Sequence, residues 1–151
     1  MKMNIKKISK DAVTPKFAHS TDSGFDLFTS EELTLEANQK GVAKTGIIFE
    51  IPNGWGIQIK NKSGITLKGV PTTSGVNADI TVYEGTIDMD YRGELMIMLK
   101  NEENHQITIP KHTKLAQGVL RKVYHCEFNE VLEVSETERG QGGFGSTGNK
   151  L

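Results

Sequence analysis

Gly85-Thr86-Ile87-Asp88-Met89-Asp90-Tyr91-Arg92-Gly93-Glu94-Leu95-Met96-Ile97-Met98-Leu99 joins a polar, glycine-bounded turn to a run in which Leu95, Ile97 and Leu99 recur at every second position. That period is the spacing of a strand with one buried face. The same alternation returns at Met1-Met3-Ile5, Ile47-Phe49-Ile51, Trp55-Ile57-Ile59 and Leu115-Gln117-Val119, with shorter apolar runs near Ile80 and Val131. Pro52-Asn53-Gly54, Gly69-Val70-Pro71, residues 102–105 and Pro110 separate them, and these are the residues of tight connections. Many short strands at such intervals predict an all-β barrel or jelly roll. Only Ser63 to Lys68, a serine followed by Ile65, Leu67 and a lysine, offers a helix start, one or two turns long. Trp55 and Phe128 are assigned to the core.

The chain has 151 residues, enough for one domain that buries roughly two-thirds of its unfolded surface. The pattern divides into a β-rich core over residues 1–134 and a C-terminal arm over 135–151. Eighteen basic and 19 acidic side chains give a net charge of −1, so no global field recruits nucleic acid or a membrane surface. A phosphate ligand must therefore be held by local groups. The single cysteine, Cys126, excludes an internal disulfide, and a reduced, cytoplasmic setting follows as the simpler expectation. Neither an apolar signal core near Met1 to Ile8 nor a membrane-length apolar run is present.

Four further segments carry chemistry. Arg139-Gly140-Gln141-Gly142-Gly143-Phe144-Gly145-Ser146-Thr147-Gly148 gathers glycines, two hydroxyls, one arginine and one aromatic ring. Glycine backbone donors and an arginine fork suit a phosphate, and a phenyl face suits a base, although a plain flexible tail has the same composition. Asn61-Lys62-Ser63-Gly64 sets a cation and a hydroxyl at the start of the short helix, which fits either a phosphate site or an ordinary serine cap. Gln117 shares a strand face with Leu115 and Val119, so its amide needs a partner, in the protein or in a ligand. Ala18 to Leu27 reads alone as a polar turn around Asp26. In the opening stretch, Asp88 and Asp90 point the same way and could activate a water, bind a metal or decorate a hairpin. The histidines at 19, 105, 112 and 125 show no zinc spacing.

Taken in order, these five segments resemble the five motifs of the homotrimeric dUTPase (deoxyuridine 5'-triphosphate nucleotidohydrolase) family. Ser23-Gly24-Phe25-Asp26-Leu27 resembles the first and Lys62-Ser63-Gly64 the second. Gly85 to Glu94 closely resembles the third, Lys114-Leu115-Ala116-Gln117 the fourth, and Arg139 to Gly148 the fifth. The resemblance implies a jelly-roll-like β-barrel subunit with a flexible glycine-rich arm, three of which share active sites at their boundaries, each arm closing over a neighbouring site. It implies hydrolysis of dUTP to dUMP and pyrophosphate with Mg2+ on the triphosphate, which limits uracil in DNA and supplies dUMP.

The same resemblance makes Asp88 the base that orients the attacking water. Tyr91 is then the platform for deoxyribose, and Tyr83, Thr86, Ile87 and Met96 surround the uracil. Lys62, Ser63, Gly64, Gln117, Arg139, Gly145, Ser146 and Thr147 are implied phosphate contacts, with Phe144 stacked on the base and Asp26 acting on the metal through water. Three departures stand out: Lys62 replaces the usual arginine, the Ser63 to Asp88 connection is longer than common, and His112-Thr113-Lys114 replaces a glycine, an aspartate and an arginine. A dCTP deaminase shares the fold but lacks such a tail. A dUTP-sensing protein with a regulatory partner, for which residues 68–80 offer a surface, is the alternative from another class.

Overall fold

The computed structural model describes residues 1–143. Its elements run β1 (Asn4–Lys7), β2 (Gly24–Phe28), β3 (Leu33–Leu35), β4 (Lys40–Glu50), β5 (Trp55–Lys60), α1 (Ser63–Lys68), β6 (Ile80–Val82), β7 (Gly85–Ile87), β8 (Glu94–Asn101), β9 (Ile107–Ile109) and β10 (Lys114–Lys122). Two antiparallel four-stranded sheets form, in the orders β1-β4-β8-β6 and β2-β10-β5-β7, with a small β3-β9 pair beside them. The all-β, jelly-roll-like class expected from the alternation is the class observed.

Strand β8 shows why. Leu95, Ile97, Leu99 and Asn101 point inward while Met96 and Met98 face out, the period-two pattern read in the sequence. Leu95, Ile97 and Leu99 join Ile47 and Phe49 of β4 and Leu27, Ile57, Ile59 and Leu115 of the other sheet in one hydrophobic cluster. The polar member, Asn101, is fully buried and fully used. Its Nδ2 donates to the carbonyls of Glu36 (2.9 Å) and His105 (2.8 Å), and its Oδ1 accepts from the Glu103 amide (3.0 Å), pinning the loop before β9.

Three expectations need correction. The segment at Asp26 is a strand, not a turn: all five residues of β2 are buried, and a strand enclosed on both faces shows no alternation. No strand forms near Val131, because the last strand ends at Lys122 and the chain beyond it finds no sheet edge of its own to join. Phe128 is 92% exposed and is not core, whereas Trp55 does pack against the cluster. The helix at Ser63–Lys68 forms where expected, and no helix among the described residues is long and apolar enough to cross a membrane.

Candidate active site

Strand β10 brings the first, second and fourth segments together. Gln117 is in register with Asp26 on one side and with Lys60 on the other, so the chain entering 61–64 leaves the sheet beside both. The Gln117 Nε2 donates to the Asn61 carbonyl at 2.7 Å, which answers where its amide goes: it ties the 61–64 turn to the sheet. Its carbonyl end lies where a Cβ at position 24 would stand, so a side chain there would push the amide from its place. Lys62 is the N-terminal flanking residue of α1 and makes no side-chain cap. Ser63 is the first helical residue and exposed, which corrects the reading of it as the cap.

Asp26 is the centre of this cluster. Its residue is only 3% exposed, and a charge buried that deeply is tolerated only when paired. Oδ1 accepts from the Lys62 ammonium, and Oδ2 lies 3.1 Å from that of Lys114. The second is a charge contact, and among the described residues Oδ2 meets no hydrogen bond of good geometry. Burial alone would raise the Asp26 carboxyl, but the two lysines outweigh it and hold the group below its ordinary range. Sequence reasoning did not pair Lys114 with Asp26, because Asp26 reads there as part of a turn and the two meet only through the pairing of β2 with β10.

The third segment stands elsewhere. Strand β7 pairs with β5 so that Ile87 is opposite Ile57, which places Asp88 level with Gly56. Asp88 and Asp90 are both exposed, as the two-residue period predicted. The Tyr91 amide donates to the Asp88 carbonyl (3.2 Å) and the Tyr91 hydroxyl to the Glu94 carbonyl (3.1 Å), closing the turn and laying the ring over Gly93, where any Cβ would collide with it. Arg92 donates to the Met89 carbonyl at 2.6 Å, a further clamp on the turn. Thr86 is exposed on β7, Ile87 is half-buried, Met96 is 38% exposed, and the Tyr83 amide donates to the Met98 carbonyl at 2.9 Å.

By the spacing of an ideal sheet, Asp26 and Asp88 stand well apart in one chain. They differ by four residues along the strands, about 13 Å, and by three strand spacings across the sheet, about 14 Å, which gives roughly 19 Å on the diagonal. Cavities of about 430 Å³ beside Asp90 and about 570 Å³ beside Tyr83 flank the third segment, and Asp26, Lys62 and Gln117 line neither. Arg139 is exposed, and its Nε donates locally to the Gly142 carbonyl at 2.9 Å. Phe144, Gly145, Ser146 and Thr147 lie outside the described residues. The structure thus unites Asp26, Lys62, Ser63, Gly64 and Gln117, unites Asp88 with Tyr91, and keeps the two groups apart.

A family model described as dUTPase matches residues 10–148. A deoxyuridine 5'-triphosphate nucleotidohydrolase of Clostridioides difficile is 40% identical, covering 97% of both chains. The corresponding protein of Nautilia profundicola is also 40% identical, over 98% of this chain and 99% of its own. Among solved structures, a dUTPase of Staphylococcus bacteriophage 80alpha with dUpNHpp superposes with a TM-score of 0.86 at 28% identity, over 97% of this chain and 98% of that one. A dUTPase from phage phi11 of S. aureus, described for its coordination of a structural Mg(II) ion, reaches 0.77 at 25% identity, over 88% and 98%.

Proposed function

This chain belongs to the dUTPase family and hydrolyses dUTP to dUMP, and on that premise we propose a catalytic site assembled from neighbouring subunits of a homotrimer. The observation that carries the proposal is the separation of Asp26 from Asp88. A base near the α-phosphorus and a carboxylate near the metal-bearing triphosphate must lie within about 10 Å of each other. One chain sets them at nearly twice that spacing, so Asp88 of one subunit meets the Asp26, Lys62 and Gln117 group of the next.

In this site Asp88 accepts a proton from the attacking water as its oxygen bonds the α-phosphorus. The bond from that phosphorus to the bridging oxygen breaks, and pyrophosphate leaves. Lys62, Ser63, Gly64 and Gln117 hold phosphate oxygens. The clamped Tyr91 ring packs on deoxyribose, where a 2′-hydroxyl has no room, and the strand edges at Tyr83, Thr86, Ile87 and Met96 read uracil through fixed backbone groups. Residues 135–151 form the arm, bringing Arg139, Gly145, Ser146 and Thr147 to the terminal phosphates and Phe144 over the base.

The residues fit a magnesium ion that rides on the substrate. Asp26 offers one buried oxygen without a hydrogen-bond donor, and among the described residues no three carboxylate, imidazole or thiolate groups converge as a cage. Asp26 would hold such an ion indirectly, through an intervening water. When bound, the ion would neutralise triphosphate charge. A regulatory protein partner is a separate role for the hairpin closed by the Val70–Ala78 bridge, whose residues 71–77 are mostly exposed.

The test is pyrophosphate release from dUTP, dCTP, dTTP and UTP with magnesium, by the intact protein and by Asp88→Asn. Turnover confined to dUTP and lost in the variant is expected. Full activity in Asp88→Asn would remove the base assignment, and dUTP binding without any turnover would move the protein to the sensing class.

A further inference from the structure

We propose that Lys114 is a positioning residue: by holding the buried Asp26 carboxylate, it releases Lys62 to take the triphosphate. The inference rests on the reading above that Lys62 contacts phosphate. Asp26 is shared by two ammoniums, and their surroundings differ. Lys62 belongs to the 61–64 turn, whose Asn61 carbonyl is held by Gln117, and its ammonium reaches Asp26. Lys114 instead sits at an irregularity of the β2–β10 ladder, where the register shifts between Lys114 and Ala116. Such a bulge re-aims a side chain, and here it brings the Lys114 ammonium to 3.1 Å from Asp26 Oδ2 and 5.9 Å from the centre of the Phe28 ring. Lys114 thus has two partners, one anionic and one aromatic, whereas among the described residues the Lys62 ammonium meets the carboxylate alone.

Charge balance gives this arrangement a use. With both lysines in place the cluster carries one more positive than negative charge, so one ammonium is surplus to what Asp26 needs. If Lys62 swings to a phosphate oxygen, Lys114 remains and the buried carboxylate stays compensated. Without Lys114, the departure of Lys62 would strand a buried anion, and Lys62 would be held back. Affinity for the polyphosphate end of the substrate therefore depends on a lysine that touches none of it.

The experiment measures binding of dUpNHpp and of deoxyuridine, without magnesium, to the full chain and to Lys114→Met, Lys114→Arg, Lys62→Met and the Lys62→Met/Lys114→Met double variant, with thermal melts to verify folding. Lys114→Met should weaken dUpNHpp about tenfold, the loss of roughly one charge-assisted hydrogen bond, and leave deoxyuridine unchanged. Lys114→Arg should restore most of the affinity. In the Lys62→Met background, Lys114→Met should change little, because the lysine it serves is gone. Independent, multiplicative losses would mean that Lys114 binds phosphate itself and would overturn the proposal, as would an unchanged affinity in Lys114→Met. If Lys62→Met alone left dUpNHpp binding intact, the reading of Lys62 as a phosphate contact would fall instead.

Discussion

The proposed site, shared between subunits of a trimer, makes a quantitative demand on mixed assemblies. Asp88→Asn removes the base and leaves the Asp26, Lys62 and Gln117 group whole, while Lys62→Met does the reverse. Each homotrimer then has three defective sites. If the two groups of one chain lie roughly 19 Å apart on the β2-β10-β5-β7 sheet, no chain can rescue its own defect. A site built across a boundary draws its base from one subunit and its phosphate group from another. After equal amounts are unfolded together and refolded, each half is intact in half of the subunits, so about one quarter of all sites carry both intact halves. Pyrophosphate release from dUTP should then recover to about one quarter of the wild-type rate per subunit. Mixing the folded variants without subunit exchange supplies the baseline. Recovery no greater than that baseline would refute the composite site and return the reaction to a single chain.

Three further outcomes follow from particular contacts. Asn101→Leu should lower stability by about 3 kcal/mol, since the carbonyls it serves at Glu36 and His105 and the Glu103 amide lose a buried partner; a melting temperature within a degree or so of wild type would contradict that accounting. The Asp26 carboxyl is held below its unfolded value of 3.8, so its stabilising contribution is in place above that value and is lost as pH falls through the lower folded-state value. Thermal melts from about pH 7 down to about pH 3 should show an acid-side loss that is shallower in Asp26→Asn, and superimposable acid slopes would exclude Asp26 as its source. Deleting residues 139–151 should leave the melting temperature nearly unchanged while cutting dUTP turnover about a hundredfold or more, and a fully active truncation would end the closing-arm reading.

How much of this was legible in the sequence depended on which face of each strand is buried. Strand β8 and the segment Trp55-Ile57-Ile59 have one wet face, and their alternation announced them. Strand β2 was missed for the opposite reason: enclosed on both faces, Phe25, Asp26 and Leu27 keep no polar-apolar period, and the serine, aspartate and glycine before them read as a turn. The run at Val131 misled in the other direction. Its residues are apolar enough for a strand, yet Leu132 and Phe128 stand fully or nearly fully exposed in a single chain, because a strand needs a sheet edge and this segment has none of its own.

The same distinction governs the site. Tyr91, Asp88 and Asp90 could be placed locally, since a turn fixes its own geometry through contacts three residues apart, such as the Tyr91 amide to the Asp88 carbonyl. Lys114 could not, because its meeting with Asp26 is made by pairing between β2 and β10 and by the irregularity between Lys114 and Ala116. The family resemblance assigns Asp26, Lys62, Asp88 and Gln117 to one reaction, and register decides which of them lie together in one chain. Gln117 falls level with Asp26 and Lys60, whereas Ile87 falls level with Ile57. A slip of two residues in β7 would preserve every motif and every buried face while shifting Asp88 by about 7 Å, too little to close the gap to Asp26. The strand order β2-β10-β5-β7 itself keeps three strand spacings between the two carboxylates, and the proposal of a second subunit rests on that order.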